Sequence, residues 1–192
     1  MITVEQKHSL FAKIGRNVVL FQQLEMMLKH LISRSEMSGV ASELEAKQKK
    51  RTKETFRKTL GQLAGDYVGD ILQPVANEPD FSKEPENLTE PWFSIKFSFG
   101  DSEKFQAEMR EHMADLVTQR NDLIHKMLPR LDLESDEKCN ELGVQLDQQA
   151  EKVRKSIKHF QSVYKAMHEA FSVMASVLQT EEERKAMFPD DD

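Results

Sequence analysis

The sequence predicts an all-α fold, a four-to-five-helix bundle with a proline-rich irregular insertion at about 74–100. Three observations predict it. Apolar residues recur at helical spacing over four long stretches. The hydrophobic fraction is 39% against 31% charged, usual for a bundle with solvated outer faces. The 192 residues suffice for one core, read as a single domain over 1–180 with an acidic tail over 181–192.

The first helix is expected at about 4–36. Thr3 and Gln6 form a capping box, Leu10, Ile14, Phe21, Leu24, Leu28 and Leu31 mark its apolar side, and Gly39 is a plausible stop. Ser42 can cap a second helix carrying Phe56, Leu60, Leu63, Tyr67 and Ile71 up to Pro74, with Gly61 and Gly65 allowing close packing. Four prolines, Pro74, Pro79, Pro85 and Pro91, mark an irregular connection. The run from Trp92 to Phe99 alternates with period two and reads as an extended piece docked on the bundle, without an obvious partner strand. Asp101 or Ser102 can start a third helix whose buried side runs from Phe105 to Leu128, ended by Pro129. A fourth is expected at about 137–180, through Leu146, Val153, Phe160 and Met167.

Net charge is −6, so an RNA-binding role requires a local basic patch. One dense block exists. Lys47, Lys49, Lys50, Arg51, Lys53, Arg57 and Lys58 share residues 47–58 with one acid, Glu54, a net of +6 that leaves −12 on the remainder. It reads either as an RNA-backbone contact or as a solvated helix end. The single cysteine, Cys139, excludes an intramolecular disulfide and a thiolate zinc site within one chain. The histidines lack metal-site spacing, so neither a metal nor another cofactor is expected. Glycine-rich phosphate loops and nucleophile elbows are absent from the sequence. With no apolar run of membrane-spanning length and no leader pattern, a cytoplasmic protein without membrane contact is expected.

The third helix carries Arg120-Asn121-Asp122-Leu123-Ile124-His125. An Arg, four residues and a His, with an amide after the Arg and late in a helical bundle, resembles the signature of the HEPN superfamily. Phe21-Gln22-Gln23-Leu24-Glu25 and Thr59-Leu60-Gly61-Gln62-Leu63 are similar to further stretches of that family. The resemblance implies a metal-independent endoribonuclease acting on tRNA or mRNA, leaving 2′,3′-cyclic phosphate and 5′-hydroxyl ends. It implies a toxin or anti-phage effector, working as a homodimer with a composite site and sometimes held by an antitoxin. Arg120, Asn121 and His125 would be the catalytic group. Histidine suits proton transfer near neutral pH, and arginine's planar fork suits the charge gathering on phosphate oxygens.

On a straight α-helix, residues five apart point about 140° away from each other. The helix must therefore distort, or two chains must pair their motif helices. The bland reading of Arg120 and His125 is that they oppose the dipole at a helix C-terminus. Glu25 either supports the cleft or pairs with Lys29, four residues on. The alternative function is a non-catalytic HEPN-like interaction or RNA-binding module.

Overall fold

In a computed structural model, residues 3–73, 92–100, 102–128 and 135–177 are described. Expectations for Pro74, Asp101, Pro129 and the 181–192 tail lie outside these residues. The chain is mostly helical: α1 (Val4–Arg34), α2 (Leu44–Phe56), α3 (Leu60–Asp66), α4 (Glu103–Asn121) and α5 (Asp136–Val177). Two strands, β1 (Glu36–Val40) and β2 (Trp92–Lys96), form a small sheet.

The first capping box forms as its residues dictate. Thr3 Oγ1 accepts from the Gln6 amide at 3.2 Å, and Gln6 Oε1 accepts from the Thr3 amide at 2.7 Å. From there α1 and α5 run parallel, in contact along most of α1. Lys13 meets Gly143 and Asp147, Asn17 meets Leu146 and Gln149, and Arg34 meets Tyr164. Their facing sides bury Leu24, Leu28, Leu31, Val153 and Phe160, and Leu63, Tyr67 and Leu116 complete the core.

Asn17 sits fully buried in this seam. Its Nδ2 donates to the Leu146 carbonyl and to Gln149 Oε1, both at 2.8 Å, and its Oδ1 accepts from Arg16 Nε at 3.1 Å. A buried amide with three partners ties α1 to α5 in one register. Asn17→Leu removes all three while stranding its neighbours' polar atoms. Urea unfolding is expected to show a loss of about 2–3 kcal/mol; a loss below about 0.5 kcal/mol would show that the network contributes nothing.

Four local expectations are corrected. Gly39 does not stop α1, which ends at Arg34 with Ser35 as its C-cap; Gly39 lies in β1 at φ 149°, a conformation open to glycine. The extended piece has a partner after all: β1 pairs antiparallel with β2, Gly39 opposite Phe93 and Val40 opposite Trp92. The second helix is two helices. Thr59 and Gln62 build a second capping box, and α3 begins at Leu60. The cap residue of α2 is Glu43 rather than Ser42.

Packing expectations also shift in places. A Cβ on Gly61 would meet Val117 at an ordinary 3.7 Å and one on Gly65 would meet nothing, so neither glycine is required by close packing. Leu128 is exposed rather than buried.

Past the sheet, the Phe97 amide donates to the Ser35 carbonyl and the Phe99 amide to the Ile71 carbonyl. Phe97 stands edge-on to Phe171. The extended piece thus docks on the bundle along its length.

Candidate functional site

The candidate site lies where α4 changes its winding. Residues Asp122–Met127 form a π-helical turn, closed by the Leu128 amide donating to the Leu123 carbonyl five residues back. A five-residue closure widens the turn, so side chains five apart come onto one side. Arg120 and His125 are five apart. Their contact follows: Arg120 Nη1 lies 3.4 Å from His125 Nε2 and donates to Asn121 Oδ1 at 3.1 Å. Of the two ways of joining the motif, helix distortion is present within one copy.

Apolar anchors explain how the segment can sustain a wider turn. Leu116 and Leu123 are fully or nearly fully buried on the core side, while Ile124 and Met127 are half-buried. The backbone keeps these contacts while His125 and Asn121 remain in solvent and Arg120 is half-buried. The guanidinium can only donate, so in this contact His125 Nε2 is the accepting atom. An accepting ring nitrogen and a planar cationic fork thus stand side by side.

Along the same turn, Gln119, Asp122 and Lys126 point into a groove of about 650 Å³ between the end of α4 and α5, whose far side carries Gln145, Gln149 and Lys152. Arg120, Asn121 and His125 are not among the residues lining it. Lys126 pairs with Asp122 at 2.6 Å, and Gln149 Nε2 donates to the Gln119 carbonyl at 3.4 Å, which ties the site to α5. The sequence reading missed these groove residues. The 119, 122, 126 spacing was the available signal, but it looks like any polar helix face.

The other predicted site residues do not join the pair. Glu25 binds Lys29 at 2.6 Å, four residues on, and its supporting role is withdrawn. The basic block is largely neutralised. Lys47 pairs with Glu43, Lys49 with Glu45, Lys50 with Glu54, Arg51 with Glu36 and Lys58 with Asp66. Lys53 and Arg57 are exposed. Two of these acids, Glu43 and Glu45, stand four residues upstream of their partners, outside residues 47–58.

Comparison with protein-family models, characterised proteins and solved structures finds no match. The site therefore has to be read from its own chemistry. Among the described residues, no helix is long and apolar enough to cross a membrane.

Behind the site, α4 and α5 share a polar seam. His112 Nε2 lies 2.8 Å from Ser156 Oγ, Lys152 bonds Asp115, and the buried Tyr67 hydroxyl lies 3.1 Å from His159 Nε2. Burial, then Lys152, holds the His112 pKa below its ordinary 6.5, with Asp115 pulling the other way; burial alone lowers that of His159. The hydrogen bond from Lys152 foremost keeps the Asp115 carboxyl below its ordinary range.

The consequence for stability has a definite sign. Below about pH 6.5 the unfolded chain takes up protons at these histidines before the folded chain does. Stability is therefore expected to fall as pH drops through 6.5 towards 5. Asp115, with a depressed pKa, loses its contribution only at lower pH. Tm measured from pH 8 to 5 should fall, and His112→Gln with His159→Gln should flatten the slope. An equal slope in the double variant would assign the effect elsewhere.

Proposed function

We propose that the chain is a metal-independent endoribonuclease of HEPN type. The observation that supports this reading is the π-helical turn that brings Arg120 to 3.4 Å from His125, with Asn121 holding the guanidinium. π turns inside α-helices occur frequently at functional sites, and here the turn does what a straight helix cannot.

The chemistry needs two proton transfers and stabilisation of one charge. His125 Nε2 accepts the proton of the ribose 2′-hydroxyl. The 2′-oxygen forms a bond to the adjacent phosphorus, and the bond from phosphorus to the 5′-oxygen breaks. The imidazolium returns its proton to the leaving 5′-oxygen. Arg120 binds the non-bridging oxygens as charge gathers on them. The products are a 2′,3′-cyclic phosphate and a 5′-hydroxyl. The motif's resemblance adds a tRNA or mRNA substrate, a homodimer with a composite site, and a role as a toxin or defence effector under an antitoxin. The chemistry itself requires only the pair within one chain.

Pairing of five of the block's seven cations with acids counts against it as the main guide for RNA. The 2′-hydroxyl and phosphate must then be held by Arg120, Asn121 and the adjoining groove. A second reading, a non-catalytic interaction module, draws on the apolar residues exposed on α5, Val144 and Val173.

The test is incubation of the purified chain with total tRNA and mRNA in excess EDTA, followed by analysis of the ends. Cleavage leaving 2′,3′-cyclic phosphates, lost in His125→Ala and in Arg120→Ala, is the expected result. No cleavage, or equal cleavage by all three proteins, moves the assignment to the interaction module.

A further inference from the structure

The outer face of α1 carries an uncharged stripe on a chain that is 31% charged. At about 100° per residue, no Lys, Arg, Asp or Glu between Val4 and Met26 lies within about 60° of Gly15. The face is exposed: Val4 is 68%, Phe11 48%, Val19 50% and Met26 43% accessible. Lys13, Arg16 and Asn17, on the other side of the helix, are the residues that hold α5.

The stripe is palindromic about Gly15. Phe11 and Val19 are each four residues from it, His8 and Gln22 seven, and Val4 and Met26 eleven. A second copy of the same helix, antiparallel and crossing at Gly15, therefore sets Phe11 beside the partner's Val19, Val4 beside the partner's Met26, and His8 beside the partner's Gln22. Each pairing sets apolar against apolar or polar against polar, and two-fold symmetry repeats it.

Gly15 supplies a separate observation. A glycine in a helix interior costs about 1 kcal/mol relative to alanine. Among the described residues nothing calls for it, since an added Cβ would meet no atom within 4 Å. A missing side chain at the centre of an exposed apolar stripe is what a close helix crossing requires. The lack of charge removes the like-charge repulsion that two copies of a −6 chain would otherwise meet.

We infer that α1 is the contact between two copies of this chain, packed antiparallel across Gly15. This contact does not use the motif helix, so it stands in place of the composite pairing that the motif's resemblance adds, and it does not depend on the ribonuclease reading. Light scattering coupled to size exclusion, at micromolar concentration, tests it. Wild type and Val144→Lys, an exposed apolar site on α5, should run at twice the 22.2-kDa chain mass. Val19→Lys, which buries a charge in the crossing, and Gly15→Leu, which blocks it, should run at the chain mass. Far-UV circular dichroism should show all four equally helical, as both α1 positions are exposed. A monomeric wild type, or a dimer surviving either α1 substitution, overturns the inference. RNA cleavage in the same samples is a separate readout: its absence overturns the ribonuclease reading and leaves the interface standing.

Discussion

His125→Ala is expected to lower the rate of RNA cleavage by about 10²–10⁴-fold, the range for removing a general acid–base group. Among the described residues the imidazole's partner is Arg120, and a guanidinium cannot take the 2′-proton in its place. Arg120→Ala should cost about 10²–10³-fold, as for loss of one preorganised donor to developing negative charge. Arg120→Lys should restore little. A point charge lacks the fork that can hold Asn121 Oδ1, His125 and a phosphate oxygen together. Most of the loss should appear in kcat, because the charge on phosphorus grows mainly in the transition state. His125 is exposed, so its replacement should leave Tm within a degree or two and the cleavage loss can be read directly. Retained cleavage in His125→Ala would sink the assignment.

The largest loss of stability is expected from Phe160→Ala. Phe160 is fully buried on α5 and meets the Tyr67 ring edge-on, with centroids 4.9 Å apart at 87°. Tyr67 opens the second π-helical turn, Tyr67–Ile71, whose end binds the segment just past β2 through Ile71 and Phe99. Truncation leaves a cavity where α5 meets α3 and removes the aromatic pair. A loss of about 3–5 kcal/mol follows, roughly 10 °C in Tm for a chain of this size. Val144→Ala, at a residue 57% exposed on the same helix, should change stability by under about 0.5 kcal/mol. Equal effects of the two substitutions would refute this picture of the core.

The long helices were legible because their apolar period persists over many turns: Leu10 to Leu31 in α1 and Leu146 to Met167 in α5 both face the core. The break between α2 and α3 was equally written, since Thr59 and Gln62 repeat the pattern of Thr3 and Gln6. It was hidden because apolar spacing continues on both sides of it. Strand β1 was illegible from local composition. Glu36, Met37, Ser38 and Gly39 carry no alternation of their own, and β2 imposes the pairing from more than fifty residues away. The motif residues could be picked out, but the turn joining them could not. A π closure depends on which anchors the surrounding core accepts, and Leu116 and Leu123 find those only in the assembled bundle. The pairing within the basic block was not legible from residues 47–58 alone, because two of its acids, Glu43 and Glu45, lie outside them.

The parallel seam between α1 and α5 also sets a timetable for biosynthesis. Its bonds join residues about 130 positions apart, from Lys13–Gly143 to Arg34–Tyr164. At roughly 5–20 residues per second, a nascent α1 waits on the order of 10 s before its partner helix is made. Throughout that interval Leu24, Leu28 and Leu31 have no α5 to cover them, and Asn17 has neither of its α5 acceptors. The emerging chain is then a substrate for chaperones along the side of α1 that the finished protein hides, and ribosome-bound lengths ending before residue 143 should show that side protected by a holdase rather than by the fold.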